Sequence, residues 1–344
     1  MALQSSGAIS LSDIQNEFGG NNPISLSEYY RGGSYVTDNN TNVPTSGGIT
    51  MSNFYGAVKQ FSYAFTSSVQ QANLWSILVG AGWNGLDPVH VTINNGVYLW
   101  SDDTSVGGMT ISNQLSGLLT VTNNGYIIGR GGNGGNGAGG SGQNGGPAIV
   151  NSATGVVFTN ASGAYIAGGG GGGGGGWRGA GGGGAGGGTG GTGSGWGSGA
   201  SGAGGAGGAI GQAGADGQQT QSGKKAYGSG GGAGGGGSTG EDNGSSQGYM
   251  DGGGGGGRIL PGTGGDGGGW READTGGDGG SANNAGTNGR AQYGSEDGGG
   301  GGGGWGANGG NGSPYSNGGA GGAAISGTAI ASMTNNGTIY GSQA

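Results

Sequence analysis

The sequence contains no cysteine. Disulfides therefore say nothing about its redox compartment, and a histidine–cysteine zinc site is excluded. Histidine occurs once, as His90, in a strand-like pattern with nothing to mark it as a catalytic base. Cations are scarce: nine Lys plus Arg against seventeen acids, a formal charge of −8. Nucleic-acid binding needs phosphate neutralisation, so this balance argues against it and against an arginine–glycine RNA-binding tail. No stretch approaches the roughly 18 consecutive apolar residues of a membrane span. The start, Met1-Ala2-Leu3-Gln4-Ser5-Ser6, lacks the basic segment and apolar core of a signal peptide. A product working outside its host cell is then expected to leave by lysis, inside a particle. Proline occurs only six times and no Gly-X-Y period exists, which excludes collagen.

What is abundant is glycine, at 109 of 344 positions, much of it in runs such as Gly168–Gly176, Gly252–Gly257 and Gly298–Gly304. Such runs have no side chains to bury. They form either flexible coil or a structure made by the backbone itself. Glycine adopts a left-handed helix of polyproline II type, three residues per turn, with every N–H and C=O turned outward. Without Cβ atoms such rods can pack side by side and hydrogen-bond to one another. At about 3.1 Å per residue, Gly168–Gly176 would span roughly 28 Å. The expectation is a lattice of antiparallel rods whose non-glycine segments are the connections at its two ends.

Residues 1–58 form a separate compositional unit. Ile9-Ser10-Leu11-Ser12-Asp13, Ile24-Ser25-Leu26-Ser27-Glu28 and Ile49-Thr50-Met51-Ser52-Asn53 repeat one phrase. Ser12, Ser27 and Ser52 are expected to cap short helices, Ser12 with Gln15 as a capping box, and Gly19, Gly32 and Gly56 to end them. A unit this small buries little alone. The reading is an attachment module completed by a partner, through Leu11, Ile14, Leu26, Tyr29, Tyr30, Met51, Phe54 and Tyr55.

Residues 59–129 read as a small α+β segment. Leu74, Ile77, Leu78 and Ala81 predict a helix opened by Ser68 with Gln71 and closed at Gly80 or Gly82. Strand signals follow at 89–93, 97–100, 118–122 and 126–128, with Asn94-Asn95-Gly96 and Asn123-Asn124-Gly125 expected as hairpin or bulge turns. The same phrase returns as Asn160-Ala161-Ser162-Gly163 and Asn335-Asn336-Gly337. These strands are expected to cap the rod lattice and fix its register.

Gly129-Arg130-Gly131-Gly132-Asn133-Gly134-Gly135, then Gly145-Gly146-Pro147-Ala148-Ile149, then Tyr165-Ile166-Ala167 leading into Gly168–Gly176, resembles the opening of the glycine-rich domain of T-even phage receptor-recognising adhesins. The ending, Gly318–Ile325 followed by Asn335-Asn336-Gly337-Thr338-Ile339-Tyr340-Gly341, resembles it too, so that the likeness covers roughly residues 65–344. Those adhesins sit at the tip of the long tail fibre. The resemblance implies a sandwich of polyglycine II helices whose distal loops bind outer-membrane receptors. Residues 1–58 depart from the family and look like a module carried by various phage virion proteins.

The expected fold is mainly irregular and β. A virion attachment module (1–58) and a connecting α+β segment (59–129) precede a polyglycine II adhesin domain capped by short strands (130–344). No cofactor, metal or catalytic residue is expected. Asp102-Asp103, Glu241-Asp242 and Glu296-Asp297 read as solvated pairs. The many G-x-G-x-x-G matches follow from composition, and Lys224-Lys225 lacks phosphate-loop spacing. Gly-Asp-Gly phrases at Asp266 and Asp278 do not sustain a calcium-binding nonapeptide repeat.

Receptor contact is expected from aromatic loop residues, which give large area with few rotatable bonds, and from basic residues beside them. These are Trp196, Lys224, Lys225, Tyr227, Tyr249, Met250, Arg258, Trp270, Arg271, Arg290, Tyr293 and Tyr315. Trp177 (beside Arg178) and Trp305 flank long runs and are read as covering rod faces. The expected partners are a bacterial outer-membrane protein or surface polysaccharide, and another phage tail or fibre protein docked by the N-terminal region. A rigid structural tail protein without receptor binding is the alternative, and an ice-binding protein a weaker third.

Overall fold

The computed structural model describes residues 2–176, 180–192, 269–271, 274–275, 277, 279–280, 284–288, 298–312 and 316–344. The architecture is mainly β and irregular, with two α-helices among the described residues.

The three N-terminal phrases each make a helical turn, capped two residues earlier than expected. α1 (Leu11–Phe18) is capped by Ser10, whose side chain and that of Asp13 form the reciprocal box. Short 3₁₀ turns at Leu26–Glu28 and Met51–Phe54 follow Ser25 and Thr50. Ser12, Ser27 and Ser52 are therefore not the caps. The cap must be extended, and Ser10, Ser25 and Thr50 hold ψ near 160° while the serines after them lie inside the turns. Gly19 ends α1 with φ of 88°. The first 3₁₀ turn ends at Tyr29, ahead of Gly32. Ile14, Phe18, Tyr29, Val36, Val43, Phe54 and Ala57 close a small core of their own.

From residue 61 the chain winds into a three-sided parallel solenoid. The first coil is Phe61–Phe65 (β1), Val69–Gln70 (β2) and Ala72–Asn73 (β3). The second is Val89–Ile93 (β4), Tyr98–Trp100 (β5) and Met109–Ile111 (β6). The third is Leu119–Asn123 (β7), Tyr126–Ile128 (β8) and Ile149–Asn151 (β9). The fourth begins with Val157–Asn160 (β10) and Tyr165–Ala167 (β11). A separate pair, Gly269–Arg271 (β12) and Asp274–Thr275 (β13), is antiparallel. The fourth coil then closes with Ile325–Gly327 (β14), and a fifth is made by Ser332–Asn335 (β15), Thr338–Tyr340 (β16) and the last residues, which bridge β14 through Gln343. The faces run β1-β4-β7-β10-β15, β2-β5-β8-β11-β16 and β3-β6-β9-β14, every neighbour parallel.

The Asn-Gly phrases are thus corners between faces, and not hairpins. Their flanking strands enter different sheets and pair with neighbouring coils. Glycine is needed there because a Cβ on Gly125 would lie 2.4 Å from the Val97 carbonyl oxygen, and one on Gly337 2.4 Å from that of Ala164. Alternate residues point inward, so Val89, Val91, Ile93, Val121 and Phe158 share one buried core with Ile127 and Ile166. α2 (Leu74–Gly80) buries Leu74 and Leu78 in that core. Its cap is Asn73, which accepts from the Ser76 amide. The proposed Ser68–Gln71 opening fails because Val69–Gln70 and Ala72–Asn73 are strands.

One corner, between the second and third faces, grows from coil to coil. It is Gln71 alone in the first, residues 101–108 in the second, 129–148 in the third and 168–324 in the fourth. The glycine runs occupy the last two. Strand pairing passes directly into them: below the β8–β11 pair, Gly129 donates to Ala167, Gly132 to Gly170 and Gly135 to Gly173, at 2.8 Å each. Segment 168–176 is the hub. Its amides donate in three rows: 168, 171 and 174 to Tyr340, Ala307 and Gly310; 169, 172 and 175 to Gly146, Gln143 and Gly140; 170 and 173 to Ala185 and Gly182. Its carbonyls accept from Gly132 and Gly135, from Gly319 and Gly322, and from Gly300, Gly303 and Gly306.

Candidate functional site

Segments 129–137, 140–146, 180–185, 298–306, 307–312 and 316–323 surround the hub. A Cβ on Gly169, Gly171, Gly173 or Gly175 would lie 1.9 Å from a carbonyl oxygen of a neighbouring segment. Backbone fills the space that side chains fill elsewhere, so the platform has no freedom to rearrange without breaking main-chain bonds.

Asparagines finish its outer rows. Here a side-chain oxygen takes the place of a carbonyl: Asn133 accepts from the Thr189 amide, Asn136 from Thr192, Asn144 from Ala320, Asn308 from Gly321 and Asn311 from Gly318, at 2.8–3.0 Å. These residues were missed as a class. Their signal is the spacing Asn133-Gly-Gly-Asn136 and Asn308-Gly-Gly-Asn311, which matches the three-residue period.

The platform joins the solenoid through an aromatic seam on the outer side of the second face. Tyr98 and Tyr126 stack at 4.9 Å, Tyr126 and Tyr165 lie 4.4 Å apart, and Trp305 approaches Tyr165 at 6.4 Å. Trp305 is fully buried there with Ile128, Ala167 and Ala185. It covers a rod face, as its position beside a glycine run suggests. Burial holds the Tyr165 phenol far above the ordinary tyrosine range and raises that of Tyr98. Arg130, from the Gly-Arg-Gly-Gly-Asn phrase, bonds the Asp102 carbonyl and reaches Asn133 at 3.4 Å. Hydrogen bonds from Ser105 hold the Asp103 carboxyl below its usual range. The phrase is thus an anchor at the growing corner.

Of the predicted contact residues, Trp270 and Arg271 lie on β12, opposite β13. Trp196, Lys224, Lys225, Tyr227, Tyr249, Met250, Arg258, Arg290, Tyr293 and Tyr315 lie outside the described residues, as do Trp177, Arg178, Glu241-Asp242, Asp266, Asp278 and Glu296-Asp297. Of the predicted attachment residues, Ile14, Tyr29 and Phe54 are fully buried, so they shape the module from within and offer a partner no surface. Leu11, Leu26, Tyr30, Met51 and Tyr55 keep part of their surface. Tyr55 borders an open hollow of about 110 Å³ with Asn39, Asn42 and Asn53. His90 pairs its Nε2 with the Thr122 hydroxyl at 2.9 Å. Among the described residues no group of acids and histidines could hold a metal ion, and no helix is long and apolar enough to cross a membrane.

Rigid solenoid, glycine platform and aromatic seam define a presenting scaffold, and comparison with known proteins gives its class: phage tail fibre adhesins. The family model described as phage tail fibre adhesin Gp38 matches residues 60–234, about half of the chain and starting at the first solenoid strand, and the chain belongs to that family. Among solved structures it is similar to the gp37–gp38 adhesin tip complex of the bacteriophage S16 long tail fibre, at 22% identity and a TM-score of 0.45 over 98% of this chain and 99% of that one. No curated protein matches it.

Proposed function

We propose that this chain sits at the tip of a phage tail or tail fibre and binds a receptor on the bacterial outer surface, through loops that link polyglycine II helices. The observation that carries the reading is the hub at 168–176. Its donors repeat every third residue in three directions, the symmetry of a three-residue-per-turn glycine helix. A platform cross-linked in this way can present variable connections without yielding to them. Residues 130–344 would be the adhesin domain, 59–129 the connection and 1–58 the attachment module, docked to another tail or fibre protein through the partly exposed Leu11, Leu26, Tyr30, Met51 and Tyr55. The receptor would be an outer-membrane protein or a surface polysaccharide, and the role non-enzymatic. Assembly would take place in the host cytoplasm.

Adsorption tests this. The purified chain added to cells before phage should block infection. Exchanging segments 218–227, 241–251, 270–274 and 281–297 for those of a related adhesin should move the host range. Blocking without any shift of host range would place recognition outside these loops. Neither effect would leave a purely structural tail protein.

A further inference from the structure

An asparagine followed by glycine carries chemistry of its own. The glycine amide nitrogen can attack the asparagine Cγ, and glycine has no side chain to hinder the ring that closes. Nδ2 and the proton of the attacking nitrogen leave together as ammonia, and a succinimide forms. Water then opens either ring carbonyl, to aspartate or to isoaspartate, whose main chain is one methylene longer. The net change turns one amide and one water into one carboxylate and one ammonium ion.

The fold treats its Asn-Gly pairs in opposite ways. In the platform both reacting groups are bound. Gly134 donates to the Thr189 carbonyl, Gly137 to Thr192, Gly145 to Ala320, Gly309 to Gly319 and Gly312 to Ser316, at 2.8–3.1 Å. The side-chain oxygens before them, on Asn133, Asn136, Asn144, Asn308 and Asn311, accept amides of other platform segments. Gly318, after Asn317, donates to Oδ1 of Asn311. Closing a ring at these pairs would break such bonds inside packed backbone.

The solenoid pairs differ among themselves. Gly125 is buried and donates to Oδ1 of Asn123 at 3.1 Å. Gly337 is wedged, since a Cβ there would lie 2.4 Å from the Ala164 carbonyl oxygen. Asn84 is tied by its own loop: Oδ1 accepts from the Leu86 and Asp87 amides, and Nδ2 donates to the Asp87 carboxylate at 2.7 Å. Among the described Asn-Gly pairs, Asn95-Gly96 alone is free of every such restraint. Both residues are exposed, and a Cβ on Gly96 would meet nothing within 4 Å. Among the described residues nothing accepts from the Gly96 amide.

We infer that Asn95 is a modification site, which converts spontaneously to aspartate and isoaspartate while the folded platform keeps its own asparagines as amides. The change puts a negative charge on the corner between the first and second faces. The isoaspartyl form also lengthens the chain between β4 and β5. The inference does not rest on receptor binding.

The test holds the whole chain folded at mildly alkaline pH, beside a sample unfolded in guanidinium chloride. Peptide mapping by mass spectrometry reads each site, and labelling by an isoaspartyl methyltransferase marks the isomer. In the unfolded sample every Asn-Gly pair should react at a similar rate. In the folded sample Asn95 should stay within about tenfold of that rate, and Asn133, Asn136, Asn144, Asn308 and Asn311 should fall at least about a hundredfold behind it, because they react only from opened segments. Asn95→Gln, whose longer side chain closes its ring far more slowly, should remove the early isoaspartate. Platform asparagines that react as fast folded as unfolded overturn the inference. So does conversion of Asn84 or Asn336 ahead of Asn95, or early isoaspartate that survives Asn95→Gln.

Discussion

The amide of Gly132 donates to the carbonyl of Gly170 at 2.8 Å, one three-residue step beyond the bond from Gly129 to Ala167. The first of these bonds joins two glycine rods, and the second sits at the foot of the β8–β11 pair. A parallel sheet therefore sets the register of the glycine lattice, and the lattice inherits the spacing of the coils. Several consequences can be measured.

Adding one methyl group to the hub should be severe. A Cβ at Gly172 would lie 2.0 Å from the Asn133 carbonyl oxygen, and its obstacle is backbone. Gly172→Ala is expected to cost at least about 3 kcal/mol, the upper end of overpacking penalties, by calorimetry. Gly48→Ala, with nothing within 4 Å, should stay within about 0.5 kcal/mol of the parent.

Asn160 is fully buried and bonded on both sides in a ladder with Asn123 and Asn335. Asn160→Leu keeps the branched shape, though with bulkier ends, and leaves the Asn123 amide without its best acceptor. A loss of about 1–3 kcal/mol in urea unfolding is expected. An unchanged midpoint would mean that the ladder adds nothing to stability.

Alkaline pH should loosen the seam. Burial raises the folded-state pKa of Tyr165 above that of the unfolded chain. Its contribution is complete below pH ~10 and is lost as pH rises above that, because the unfolded state then releases a proton the folded state keeps. Stability should fall above pH ~10, and Tyr165→Phe should flatten the fall. Absorbance titration of phenolate should show Tyr165 silent until unfolding.

Acid should act at the other end of the chain. Hydrogen bonds from the Ser10 side chain and backbone lower the Asp13 pKa. The stability this group adds is present above the unfolded carboxylate value and is lost as pH falls through the lower folded value. An NMR titration of Ser10→Ala should return Asp13 towards the ordinary range; an unmoved pKa would contradict the capping box.

Much of this was legible in the sequence, for physical reasons that differ from place to place. The runs of glycine exclude a side-chain core and leave only main-chain pairing or coil, so the hub could be expected. The Asn-Gly corners were visible as turns. Their pairing was not, because Asn94-Asn95-Gly96 looks the same whether the next strand folds back or moves to another face. The solenoid hid because its period is broken by insertions of very different length at one corner, so coils that touch in space, such as β11 and β16, lie far apart in sequence. The capping serines were misplaced by two residues because Ser10 and Ser12 both precede plausible partners, and only the backbone angle separates them. The ladder asparagines Asn123, Asn160 and Asn335 stood out as parts of a repeated turn, whereas their hydrogen bonds to one another appear only once the coils are stacked.

The central claim is that main-chain bonds between glycine segments make the platform rigid, and hydrogen exchange at the amides of residues 168–175 tests it most directly. They should exchange only with global unfolding, as slowly as those of β7 and β10. Exchange at the rate of a free glycine peptide, while the solenoid stays protected, would contradict it.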